Sequence, residues 1–567
     1  MHPLYRVVLL ALLVPAGLSA QTAPLPLKHA PAPTSPEITA ADLMTRLYIY
    51  ADDSMMGRRG GTIYNLKATD YIAGEARAMG LVPAGDSGTY LQTVPLMRET
   101  IDTNSTLVVA GVTLKVFDDF LPRRLRAGPA RSLDGAPVVF AGALDGTDTF
   151  AAEVVRGALV VVAPPRAAGP NTRGQLGALL TRFKDAAAIA LPGLERFPPQ
   201  FRGALRQPSL TMGGPAGPDS SPLFLQVTTA AAERLLGAPL DSAKLGATGR
   251  TVQSHLAFTS EAAPARNVVA IVPGRDPKLR GEYVAIGAHN DHIGFNTNPV
   301  DHDSLRIWNH IVRPEGADDG GKQATPAQQA LADSLLAVWR AAHPGSSRKD
   351  SIDNGADDDG SGTVSVLEIA QKIVSLSTKP KRSILFVWHT GEELGLLGSR
   401  WFSDHPTVPR DSIVAQLNID MIGRGDADDE VGRTKNGAPI HGGPDYLQLV
   451  GSRRLSKELG DLVETVNLED HHGIAFDYSI DANGHPANIY CRSDHYSYAR
   501  FGIPVVFFTT GIHSDYHQVT DEPQYIDYAH MARVASLIED IAVHVADLDH
   551  RVVVDQPKPD PNAACRQ

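Results

Sequence analysis

At 567 residues, with 43% hydrophobic and 20% charged side chains, the chain has an ordinary globular composition and is too long for a single hydrophobic core. A formal net charge of -12 excludes the basic footprint of a nucleic-acid-binding protein. Two cysteines, Cys491 and Cys565, exclude a disulfide scaffold and a cysteine-based metal site, and leave open whether they form one bridge.

At the N-terminus Arg6 precedes the apolar run Val7 to Ala16, and Leu18-Ser19-Ala20 closes on a small residue. This predicts a signal peptide over residues 1–20 and a secreted or periplasmic product. The run is short against ~30 Å of hydrocarbon, so no integral membrane segment is expected in the mature chain. Residues 21–36, rich in Pro, Ala and Thr, read as a flexible leader.

Residues 37–100 carry two amphipathic helical patterns, Ala41 to Leu47 behind a Thr39 cap and Asn65 to Met79. A glycine-rich turn, Asp53 to Gly61, separates them, and Tyr90 to Leu96 reads as a strand. Over residues 101–258 the texture becomes β-rich, with strand runs at Ser105 to Val109, Ala136 to Phe140 and Ala158 to Ala163 and a small helix at Lys184 to Ala190. No cluster of His and acidic residues occurs there, which predicts a non-catalytic domain inserted into the main one.

Residues 265–549 change to α/β grammar. Buried-strand runs lie at Asn267 to Val272, Tyr283 to Gly287, Ser383 to Trp388, Ile413 to Ile419 and Pro504 to Thr509. Amphipathic helices alternate with them, for example Thr363 to Val374. The pattern predicts a mixed, mostly parallel sheet covered by helices, with ligands beyond the carboxyl ends of the strands. Residues 550–567 form a tail.

Five short stretches of this region carry chemistry: His289-Asn290-Asp291, Gly355 to Gly362, Gly391-Glu392-Glu393, Asn418 to Met421, and Ser514-Asp515-Tyr516-His517. Each is weak alone. Together they supply two imidazoles, three carboxylates and a spare Glu, a ligand set for two zinc ions and a general base. In Asp357-Asp358-Asp359, three adjacent acids repel one another unless a cation compensates. A similar run, Gly316-Ala317-Asp318-Asp319-Gly320, is set aside because the helix after it, Pro326 to Ala342, leads to a basic surface loop and not to a core strand. Adjacent side chains in Glu392-Glu393 point apart, so one can bind metal while the other faces substrate. Tyr516 offers a phenol to a developing oxyanion.

On these motifs the chain resembles the M28 family of zinc peptidases over about Ala265 to Asp547. Met56-Gly57-Arg58 and the stretch from Tyr90 to Leu96 are also similar to secreted bacterial members, and the insert resembles a protease-associated (PA) domain. The resemblance implies a three-layer α/β/α zinc-peptidase domain and an exopeptidase with two zinc ions per chain, acting on peptides or small proteins, most simply an aminopeptidase. It makes Asp358 the carboxylate bridging both ions, Glu393 and His517 the partners of one, and His289 and Asp420 the partners of the other. Glu392 becomes the general base acting on a water shared by the zinc ions, supported by Asp291 and Asp359. A cis peptide at Asp358–Asp359 is a further implication, and Asp494, His495 and Tyr496 match a stretch that lines the substrate pocket. The long interval after His289, an insertion over residues 295–354, departs from the family pattern and reads either as a lid over the cleft or as a surface elaboration. Other readings are a carboxypeptidase or dipeptidase on the same scaffold, a glutaminyl-cyclase-like enzyme, and an inactive receptor-like relative.

Overall fold

The computed structural model describes residues 25–567 except 125–130, 145, 147–150, 165–178, 180–181, 197–207, 214–221, 346–347 and 564. The expected signal peptide lies outside the described residues. Residues 25–36 have no regular structure but run along the body, where Thr34 Oγ1 donates to Gln371 Oε1 at 3.0 Å and the Ser35 N–H donates to Asp42 at 3.1 Å.

Helix α1 (Ala40–Tyr50) starts where the Thr39 hydroxyl accepts the Asp42 N–H at 3.1 Å, the cap read from sequence. Helix α2 (Ile63–Ala78) follows, then the short strands β1 (Val82–Pro83) and β2 (Leu91–Thr93). The run Tyr90 to Leu96 is not one strand. Its first half pairs with the main sheet, and after Pro95 the strand Leu96–Ile101 joins Ser209–Met212 and Phe258–Ala263 in a three-stranded sheet.

A separate eight-stranded sheet is built from strands between Thr106 and His255. One expectation fails there. Lys184 to Ala190 is not a helix: it turns into the strand Ala188–Pro192, which lies parallel between Leu159–Ala163 and Leu223–Val227. The alanines favour a helix by propensity, but burial at the centre of a sheet overrides that weak preference.

The main sheet continues with β3 (Arg266–Val272) and β4 (Tyr283–His289). The insertion follows with helices α3 (His302–Val312) and α4 (Pro326–Ala342), the latter spanning the residues expected from sequence. Then come α5 (Gly362–Ser375), β5 (Ser383–His389), α6 (Leu397–Asp404), β6 (Ile413–Ile419), β7 (Tyr446–Val450), α7 (Lys457–Glu469), β8 (Ala475–Asp477), α8 (His495–Ala499), β9 (Val505–Thr509) and α9 (Tyr528–Asp547). The strand order is β1-β3-β5-β4-β6-β9-β7-β8, with β2 also on β3. Strands β5, β4, β6 and β9 are mutually parallel, while β3 runs antiparallel to β5, and β7 runs antiparallel to β9 but parallel to β8. The fold is α/β with a mostly parallel central sheet.

Alternation along the strands fills two cores. Ile384, Phe386 and Trp388 of β5 face a layer that includes α1, α2, α5 and α9, and Leu385 and Val387 face the opposite layer with Phe402 of α6 and Tyr498 of α8. Both faces are covered, so polar chemistry is displaced to the strand ends. Cys491 and Cys565 form a disulfide, their Cα atoms 5.8 Å apart, which fastens residues 550–567 to the loop before α8.

Candidate metal centre

The parallel strands β4, β5, β6 and β9 end on one edge, and that edge gathers the five stretches. His289 is the last residue of β4. Glu392 and Glu393 follow β5, Asp420 follows β6, and His517 lies in the loop after β9. Asp358 comes from the turn before α5.

Asp358 stands between two donor sets. Its Oδ1 is 3.0 Å from His289 Nε2, which is itself 3.6 Å from Asp420 Oδ1. Its Oδ2 is 3.0 Å from His517 Nε2, which is 2.9 Å from Glu393 Oε1. The expected bridge and both pairs of partners are therefore juxtaposed. Burial acts to raise the Asp358 pKa, but His289 and His517 hold it well below the usual carboxylate range. Burial likewise opposes a low value at Glu393, where His517 prevails and pulls the pKa down to about 2.

The surrounding bonds orient these groups. His289 Nδ1 lies 3.0 Å from the Asp291 carbonyl oxygen, leaving Nε2 for the site. Asp359, joined to Asp358 by the expected cis peptide, accepts the His289 N–H at 2.9 Å and the Gly362 N–H at 2.9 Å. Asp420 accepts from Ser493 Oγ at 2.6 Å. The Asp357 and Asp358 N–H groups both donate to Asp521, a residue that carried no sequence signal. Buried Arg58 donates to the Asn354 and Gly355 carbonyls at 2.5 and 2.8 Å, so the Met56-Gly57-Arg58 motif holds the turn that presents Asp358.

Glu392 is partly buried, and its N–H donates to Asp291 Oδ1 at 3.1 Å. Burial, followed by repulsion from Glu393 and Asp420, raises its pKa well above the carboxylate range. Burial also pushes Asp291 up to about 7. The Tyr516 ring stacks on His517 with centroids 4.0 Å apart, and its hydroxyl accepts from Arg492 at 3.5 Å.

Other expected residues lie at the start of α8. Asp494 pairs with His389 Nδ1 at 3.3 Å, and both are fully buried. His495 has no exposure and stacks on Phe507 at 4.9 Å between centroids. Tyr496 is half-buried against Tyr490. Asp318 and Asp319 stay out of the cluster, Asp318 in a two-pronged pair with Arg492 and Asp319 with Lys322. The insertion packs directly on the His517 loop: the Ala317 N–H donates to the Tyr516 carbonyl at 3.1 Å, and Arg306 lies 3.4 Å from Asp515. His292 is the residue that sequence reading passed over. It stands three positions after His289, and its Nδ1 is 3.0 Å from Glu393 Oε1.

The donor set fits divalent zinc. Separations of 2.9 to 3.6 Å between donor atoms match the edge of a tetrahedron, about 3.3 Å, for bonds of ~2.0 Å. Asp358 Oδ2, Glu393 Oε1 and His517 Nε2 are buried, and none of them meets hydrogen-bond geometry, a pattern that a cation resolves.

Residues 267–542 match the sequence model of Peptidase family M28. This region belongs to peptidase family M28. Leupeptin-inactivating enzyme 1 of Streptomyces exfoliatus is 37% identical over 97 residues, 16% of this chain and 22% of that one. Leucine aminopeptidase 1 of Aspergillus oryzae is 30% identical over 205 residues, 34% of this chain and 47% of that one. The chain thus spans less than half the length of these curated relatives. Among solved structures, the aminopeptidase from Aneurinibacillus sp. strain AM-1 superposes with a TM-score of 0.48 at 16% identity, over 92% of this chain and 97% of that one.

Proposed function

We propose that the chain is an exported zinc exopeptidase, an aminopeptidase that removes N-terminal residues from peptides or small proteins. The observation that carries the reading is Asp358, whose two oxygens each face a separate set of buried imidazole and carboxylate donors. His289, Asp420 and Asp358 would hold one ion, and Glu393, His517 and Asp358 the other. Bound zinc supplies Lewis-acid polarisation of the scissile carbonyl and an acidified water.

The remaining work falls to the chain. Glu392, its start fixed by the Asp291 bond and its pKa raised by burial and like charge, accepts the proton of the attacking water and returns it to the departing amine. Asp359 keeps His289 in register through its backbone N–H. The Tyr516 hydroxyl accepts from Arg492, which leaves its own proton for the oxygen that develops charge.

Export is supported by the Cys491–Cys565 disulfide, which suits an oxidising compartment, together with the apolar N-terminal run. The insertion over residues 295–354, fastened to the His517 loop and to Arg492, suits a specificity element beside the cleft. No helix among the described residues is long and apolar enough to cross a membrane.

The test is a panel of free aminoacyl substrates and N-blocked peptides, assayed with and without a chelator. The reading predicts chelator-sensitive cleavage of free N-termini. Cleavage of N-blocked peptides alone would move the assignment to a carboxypeptidase on the same site.

A further inference from the structure

His292 is one imidazole more than the bridging arrangement requires, and the mechanism above leaves it idle. It stands on the loop after β4, where its N–H donates to the Arg58 carbonyl at 3.4 Å. The ring is fully buried and meets His517 edge-on with centroids 5.5 Å apart. The space it occupies depends on Gly355, where a Cβ would come within 2.5 Å of His292 Cγ.

The environment of its nitrogens is unusual. Nδ1 is 3.0 Å from Glu393 Oε1 and 3.7 Å from Asp358 Oδ2, yet neither Nδ1 nor Nε2 meets hydrogen-bond geometry with any described group. Fully buried polar atoms without partners are rare, because each loses its hydration without compensation. One donor atom from each of His292, Asp358, Glu393 and His517 lies within 4.8 Å of all the others. Aimed lone pairs at that spacing are what a ligand to a shared cation presents.

We propose that His292, through Nδ1, is a further metal ligand in the Glu393–His517 half of the site. That half then has four protein donors against three in the half formed by His289, Asp420 and Asp358. The two positions differ in affinity: the His292 half holds its ion more tightly, and a chelator empties the site in two separate steps. The proposal rests on the zinc-peptidase reading of the same site.

The experiment is a zinc count and a competition titration against a chromophoric chelator on the full chain, for wild type, His292→Ala and His292→Asn. Asparagine keeps an N–H near the Nδ1 position, so it preserves a hydrogen bond to Glu393 but removes the imidazole. Two stepwise dissociations in wild type, with the tighter weakened at least tenfold in both variants, support the proposal. Wild-type affinity in His292→Asn overturns it and makes His292 a hydrogen-bond donor. X-ray absorption at the zinc edge of the wild-type protein gives a second measure that needs no variant: three imidazoles shared between two ions are expected, and two would overturn the ligand role. A wild-type protein that binds no zinc defeats the peptidase reading itself, whereas two ions with only two imidazoles defeat this inference alone.

Discussion

Asp291 accepts the backbone N–H of Glu392 at 3.1 Å, so the loop that follows β4 sets where Glu392 begins. The bond uses the Glu392 backbone and leaves its side chain to act. Glu392→Gln therefore keeps the local geometry but loses the titrating group. Zinc content should stay at the wild-type level while kcat falls by a factor of about 10²–10⁴. Near-normal turnover in this variant sinks the assignment of Glu392.

Asp358→Ala removes the one carboxylate shared by both donor sets. Elemental analysis of the purified variant should find both ions lost, not one. Retention of a full zinc complement would show that the carboxylate does not bridge.

Gly57 has φ +64°, and a Cβ there would come within 2.0 Å of the Gly294 carbonyl oxygen. Gly57→Ala must displace the backbone at Gly294 and the Arg58 contact behind it. A loss of about 2 kcal/mol or more is expected, read as a lower denaturant midpoint. An unchanged midpoint would mean that the turn is free to relax.

The Asp318–Arg492 pair joins the insertion to the loop beside Tyr516. Asp318→Ala should leave zinc binding intact and raise KM about fivefold, equivalent to about 1 kcal/mol for a partly exposed ion pair. Loss of zinc from this variant would return the set-aside acidic run to the metal site.

Burial pushes His495 down to about 3, with Asp494 opposing only in part. In the unfolded chain the imidazole titrates near 6.5. The unfolded state therefore binds the extra proton between those values, and folding stability drops as pH falls below about 6.5 until about 3. At pH 5 the loss from this one group is about 2 kcal/mol. His495→Leu should flatten the acid limb of a stability-against-pH profile by that amount, and an identical limb would exclude the role.

Much of the site was legible because its residues follow strands whose apolar runs mark their own ends. His289, Asp420 and Glu393 needed only a strand boundary each to be placed. The Gly316–Gly320 run could be rejected on what its helix leads into. His292 was missed because the motif was read as a His-x-Asp pair, although a second imidazole three residues on was in view. Asp521 left no trace, and Ser493 stood out only as the head of a stretch resembling a pocket lining, since supporting bonds from distant loops have no fixed spacing. The Lys184 to Ala190 error has the opposite cause: local propensity was clear, and long-range pairing reversed it.

The Cys491–Cys565 bond carries a consequence for the order of assembly. The two sulfurs are 74 positions apart, and the first stands two residues before Ser493, whose hydroxyl supports Asp420. During synthesis every candidate metal donor and all of α9 emerge before Cys565 does. The bond beside the loop that carries Ser493 can thus close only after Cys565 has emerged, and its closure requires an oxidant. Closing a loop of this length restricts the unfolded chain by about 4 kcal/mol. A reducing compartment would return that freedom to the loop beside the cleft.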